Sequence, residues 1–97
     1  MALVNRDIGG GRPLGAVLRF DTSQLPRLTE WKMMRRGFYV VGLEPGTVEP
    51  RGRGPLRERG ELPMIQGHAE HPVAVSLEVV TTTEEIAELE REAKELR

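Results

Sequence analysis

A chain of 97 residues holds one modest hydrophobic core and has no room for separate catalytic and binding domains, so residues 1–97 are expected to form a single domain. Hydrophobic residues at 38% and charged residues at 30% exclude a disordered chain, and a formal charge of −1 excludes a molecule that binds polyanions over its whole surface. No cysteine is present, which rules out disulfides and thiolate metal sites.

Met1–Asp7 reaches charge too early for a secretory segment, and no apolar run approaches the length of a membrane span, so a cytoplasmic location is expected. Eleven glycines and seven prolines favour short strands joined by turns over a helical bundle. The charge is uneven. Residues 27–60 carry eight Lys/Arg against four Glu, and residues 61–97 carry nine Glu against three basic groups. Such asymmetry favours pairing within or between chains and draws an anionic ligand toward the middle segment.

Residues 1–13 form a loop-rich N-terminus in which 5–13 read as loop. Gly9-Gly10-Gly11 resembles a phosphate cradle, but a P-loop needs Gly-Lys-Ser/Thr and a helix, whereas Pro13 and a strand-like run follow here. Gly15–Phe20 is a short strand with Ala16, Leu18 and Phe20 on one face. Asp21-Thr22-Ser23 is a turn, and Pro26 keeps Leu25 out of a helix. Residues 28–34 fit a strand or a helix. Arg35-Arg36-Gly37 is a hairpin turn, and Phe38–Glu44, rich in aromatic and β-branched residues, is a central strand ended by Pro45-Gly46.

Residues 46–63 contain four Gly and three Pro among arginines, the composition of a long loop rather than a helix or strand. Loops of that length inside a domain are functional or disordered. Pro72–Val80 alternates: Val73, Val75, Leu77 and Val79 face one way, and Ala74, Ser76 and Glu78 face the other, a wet side. Thr82 with Glu85 forms a capping-box pattern, which opens an amphipathic helix over 82–97 with Ile86, Leu89, Ala93 and Leu96 on one stripe. The expected architecture is a mostly β chain, with a sheet of about four strands over residues 14–80 and one C-terminal helix. Its open strand edges suit part of a larger sandwich, or a subunit that builds one by assembling.

Several residues carry candidate chemistry. Glu44 shares a strand face with Phe38, Val40 and Gly42. A carboxylate at the end of an apolar strand serves as a general base or pairs with a nearby arginine. Trp31, the only tryptophan, is a stacking platform or a core anchor. Lys32, Arg35 and Arg36 bind anions or form a solvated edge. Arg51, Arg53, Arg57 and Arg59 clamp phosphates or carboxylates, or pair with the acidic helix. That loop lacks the interleaved aromatics of a single-strand binder, so nucleic acid is disfavoured. His68 and His71 flank Glu70, but Gly67 and Pro72 oppose a helix and a third ligand is missing, so no metal is expected. Ser23 and Ser76 lack a nucleophile-elbow context.

Leu18-Arg-Phe-Asp-Thr-Ser-Gln-Leu-Pro-Arg-Leu-Thr-Glu-Trp-Lys-Met-Met34 resembles an aldose 1-epimerase-like family of the galactose mutarotase-type superfamily. Tyr39-Val-Val-Gly-Leu-Glu-Pro-Gly-Thr47 is similar to its most distinctive motif, and Gly52-Arg53, Arg57-Glu58-Arg59-Gly60 and Leu62 continue it in register. The resemblance runs from about residue 14 to residue 80 and implies the C-terminal portion of an antiparallel β-supersandwich whose concave face binds a sugar. It places Glu44 as the base that takes the anomeric proton, with Trp31, Lys32, Arg53 and Arg59 as sugar-contact candidates. The superfamily's acid is a histidine upstream of the glutamate; here only His68 and His71 exist, both downstream, and Gln66–His71 departs from the expected Pro-Gly-Glu turn. The implied function is a carbohydrate-binding module, with isomerase activity only if a partner or missing segment supplies the acid. No cofactor is implied. The expected partners are a sugar and a second copy or partner chain, and no membrane. The alternative is a non-catalytic assembly subunit that pairs through sheet edges and the C-terminal helix.

Overall fold

The computed structural model describes residues 1–96. Five strands in two antiparallel sheets and two helices follow one another: β1 (Ala2–Asn5), β2 (Leu14–Phe20), β3 (Arg27–Arg35), β4 (Phe38–Gly46), α1 (Arg53–Glu58), β5 (Val75–Val80) and α2 (Thr83–Glu95). The chain divides into two units, one made of residues 1–19 and 75–97 and the other of residues 20–74. The four strands expected over residues 14–80 are β2 to β5, and they divide between two sheets. The first unit holds a three-stranded sheet in the order β1-β2-β5, and the second holds a β3-β4 hairpin. The mostly β class and the C-terminal helix stand.

In the first unit, β1 lies within the expected loop-rich N-terminus. Ala2-Leu3-Val4 is too short to show periodicity alone, and its pairing with β2 (Leu3 opposite Ala16, Val4 opposite Gly15) makes it a strand. Val17, Val80 and Ile86 are buried together, with Val4 and Leu89 packed against them, so α2 covers one face of this sheet. Strand alternation puts Ser76 and Glu78 on the side of Val80. The apolar row is therefore the uncovered one: Leu77 is 71% and Val79 65% exposed, and Val75, Leu3 and Leu14 are exposed as well. This reverses the expected wet side. The reason is Arg19, which donates to Glu78 at 2.9 Å and to both oxygens of Glu92 on α2 at 2.5 and 2.9 Å, so the polar row is occupied by a strand-to-helix ion network. The Arg19 guanidinium holds the Glu92 carboxyl below its ordinary range.

Thr82 caps α2. Its hydroxyl accepts from Glu85 N at 3.2 Å, and Glu85 Oε2 accepts from the backbone N–H groups of Thr81 (2.9 Å) and Thr82 (3.1 Å). Those backbone bonds, with the Thr82 side chain, lower the Glu85 pKa from its ordinary 4.5. A depressed carboxylate contributes stability above its unfolded pKa and loses it as pH falls through the folded value. Thr82→Ala is expected to destabilise α2 by about 1 kcal/mol. Far-UV circular dichroism should show helix lost on acidification below the unfolded glutamate range, with a smaller acid effect in Glu85→Gln. The helix expected to reach Arg97 ends at Glu95 with Leu96 as its cap, and Arg97 lies outside the described residues.

In the second unit, the ambiguous residues 28–34 are strand. β3 pairs with β4 in continuous register from Arg27 opposite Gly46 to Arg35 opposite Phe38, around an Arg36-Gly37 turn in which Gly37 has φ 76°. β4 runs through Pro45 and ends at Gly46, two residues beyond the expected Glu44. A two-stranded ribbon has a free edge on each strand, so a proline without an N–H is accommodated there. Residues 46–63 are not all loop either. Gly52 precedes α1, Pro55 sits in its first turn where no N–H is needed, and Leu56 is 4% exposed. Gly60 at φ 69° stops it, with Gly60 N bonding Arg57 O and Glu61 N bonding Leu56 O, a Schellman ending. Leu25 is the other buried apolar residue of this unit. Gln24 anchors the chain that returns toward β5: its amide oxygen accepts from Ala74 N at 3.0 Å, and its carbonyl lies 2.9 Å from His71 Nε2.

Candidate functional site

The hairpin register sorts the candidate residues by face. Arg27, Thr29, Trp31, Met33 and Arg35 of β3 share a side with Phe38, Val40, Gly42, Glu44 and Gly46 of β4. Trp31 stands opposite Gly42, and Glu44 opposite Thr29. Gly42 matters because it has no side chain. A Cβ there would lie 2.8 Å from Glu44 Oε1 and 3.6 Å from Trp31 Cβ, so the Glu44 carboxylate folds back over the glycine toward the tryptophan. Trp31 is 47% exposed, Glu44 is exposed, and Glu44 has no ion-pair partner among the described residues. The Trp31 side chain and the unpaired Glu44 carboxylate therefore lie on one hairpin face beside the space that Gly42 leaves open.

The structure does not bring all five candidates together. Lys32 is on the opposite face of the hairpin with its Nζ 3.7 Å from Glu30 Oε1. Arg53 opens α1, and Arg59 follows it, donating to Glu61 Oε2 at 3.0 Å. His71 is engaged with Gln24, and His68 adopts φ 64° in a turn. Among the described residues no group of three or more His, Asp or Glu is placed to hold a metal ion. The glycine run near the N-terminus has its own anion: Asp7 Oδ1 accepts from Gly9 N at 2.8 Å and Gly11 N at 3.0 Å.

Two concavities lie in the second unit. A hollow of about 250 Å³ is lined by Arg27, Thr47, Val48, Glu49, Leu56 and Glu61. A shallower groove of about 460 Å³ runs from Thr47 past Met64 and Ile65 to Glu70 and His71. Sequence reading missed the first because its lining comes from β3, the segment after β4, α1 and the chain beyond it. The one local sign was Gly60, whose αL stop after a buried leucine marks a helix in what composition reads as loop.

Fold and site together define a mostly β protein with an aromatic and carboxylate platform on an open hairpin, beside a small polar hollow. The chain belongs to the family described as a domain of unknown function, DUF4432, whose model matches residues 1–79. That match takes in all of β1 to β4 and α1 and stops short of α2. No curated protein and no solved structure matches the chain. No helix among the described residues is long and apolar enough to cross a membrane.

Proposed function

We propose that this chain is a carbohydrate-binding module of aldose 1-epimerase type, the C-terminal part of a galactose mutarotase-like supersandwich, with a cytoplasmic location. The observation that carries the reading is the placement of Glu44 over Gly42 beside Trp31. Trp31 presents its ring to the apolar face of a pyranose, and Glu44 accepts from a hydroxyl, the anomeric one where catalysis occurs. Isomerase activity needs an acid supplied from outside the hairpin, because its two strands contain no histidine.

Because Trp31 is the only tryptophan, its fluorescence reports directly on this platform. Titration with a panel of aldoses is expected to shift that emission. Glu44→Gln is expected to weaken binding about tenfold or more, the size of one hydrogen bond to a charged acceptor. Saturable binding that is the same in wild type and Glu44→Gln by that emission, and in wild type and Trp31→Phe by calorimetry, would discard the platform.

A second reading, a non-catalytic assembly subunit, rests on a different surface. The uncovered face of β1-β2-β5 is apolar throughout Leu3, Leu14, Val75, Leu77 and Val79, and apolar patches beyond a few hundred Å² on a monomer mark interaction sites. The expected helix stripe is partly used already, since Ile86 and Leu89 pack on their own sheet. Leu77→Lys is the discriminating variant. Under this reading it lowers the sedimentation mass of the protein and leaves sugar binding unchanged.

A further inference from the structure

The hollow beside the hairpin has a composition that the platform does not use. Its charged groups do not cancel. Glu49 Oε2 lies 2.5 Å from Arg51 Nε, and Glu61 Oε2 lies 3.0 Å from Arg59 Nη2. Each lining carboxylate is therefore already matched by an arginine just outside the hollow. Arg27, the remaining charged lining residue, has no ion-pair partner among the described residues. The five groups together carry one net positive charge, centred on a planar guanidinium whose fork fits a carboxylate.

The rest of the lining is suited to a polyol. Both ion pairs engage the Oε2 atoms, leaving Glu49 Oε1 and Glu61 Oε1 to accept from hydroxyls, and Thr47 adds a group that both donates and accepts. Leu56 and Val48 provide an apolar wall for the C–H face of a ring. At about 30 Å³ per water, the volume corresponds to roughly eight waters, which suits a small ligand rather than a nucleotide. The hollow also adjoins the platform. Arg27 is opposite Gly46, two residues along β4 from Glu44 and on the same hairpin face, so Arg27 and Glu44 are diagonal neighbours, a separation of about 7–8 Å between residues. One sugar ring spans that gap.

We propose that this hollow selects a monoanionic sugar acid that keeps its ring, a uronate, with its carboxylate on Arg27 and its hydroxyls on Glu49, Glu61 and Thr47. The inference rests on the carbohydrate reading above and narrows it from sugars in general to acidic ones. A dianionic phosphate is the poorer fit, because the two lining glutamates oppose the second charge.

The test is calorimetric titration of the chain with glucuronate and galacturonate, against glucose and galactose, with acetate and inorganic phosphate as anion controls. At least one sugar acid is expected to bind about tenfold tighter than the corresponding neutral sugar, and the margin should shrink as salt rises. Arg27→Gln is expected to remove the margin between sugar acids and neutral sugars, while Arg27→Lys restores part of it. Amide spectra of the variants verify that they are folded. Neutral sugars binding as tightly as sugar acids would overturn this inference and leave the platform reading standing. No binding of any sugar would overturn both. Acetate or phosphate matching the uronates would reduce the hollow to a plain anion site and overturn the sugar-acid assignment.

Discussion

Ile86→Ala is expected to be the most damaging single substitution in the first unit, at about 2–5 kcal/mol. Ile86 is 3% exposed and comes from the first turn of α2, where it meets Val17 and Val80. Those three are the buried members of that unit's cluster, so truncating one leaves a void that two β-branched valines cannot close. Domains as a whole are stable by about 5–15 kcal/mol, and short chains are poorly supplied with core, so the loss is a large share of the total. Urea denaturation followed by circular dichroism checks it. Leu96→Ala is the control. Leu96 lies on the same expected helix stripe but is 81% exposed, and its truncation should stay within about 0.5 kcal/mol of wild type. Equal losses for the two variants would show that α2 is not seated through Ile86.

Gly15→Ala is the second large effect, expected at about 1–3 kcal/mol from overpacking. Gly15 is buried in β2, opposite Val4, and a Cβ there would lie 2.7 Å from Val80 Cγ2 and 3.4 Å from Val4 Cγ2. The colliding group is a methyl of a β-branched side chain that is itself buried, so it cannot swing aside as a long side chain would. By propensity alone, Gly→Ala inside a strand would stabilise the fold; the packing against Val80 reverses the sign. The double variant Gly15→Ala/Val80→Ala separates the two contributions, since relief of the clash appears as non-additivity in thermal unfolding. Gly54→Ala, which nothing would meet within 4 Å, is the strain-free comparison.

What could be read from the residues follows from how local each cause is. The α2 start was legible because Thr82 and Glu85 satisfy each other's backbone donors within four residues. The β3-β4 hairpin turn was legible because Gly37 supplies the positive φ that the turn requires. The α1 helix was not, because arginine, glycine and proline dominate its composition and its stability comes from burying Leu56 and from the Gly60 ending. At the site, Glu44 and Trp31 were each identifiable as candidates. Their juxtaposition across Gly42 was not, because it depends on the pairing register between two strands. Arg27, Thr47, Glu49 and Glu61 carry no local pattern and become neighbours only when four separate segments converge on one hollow.

By itself, the amino-acid order determined the class of the protein: strands punctuated by glycine and proline, a capped acidic helix at the C-terminal end, and the absence of thiol chemistry. Those are consequences of backbone conformational limits and of groups a few residues apart. Only the tertiary structure decided that the strands divide between a three-stranded sheet and a hairpin. The same is true of the β5 face that α2 covers, and of Lys32 lying away from Glu44 while Arg27 shares its side. Alternation along a strand defines two faces without naming the one that will be covered; packing chose it, through the burial of Val80 and Ile86 and the Arg19 bridge to Glu92.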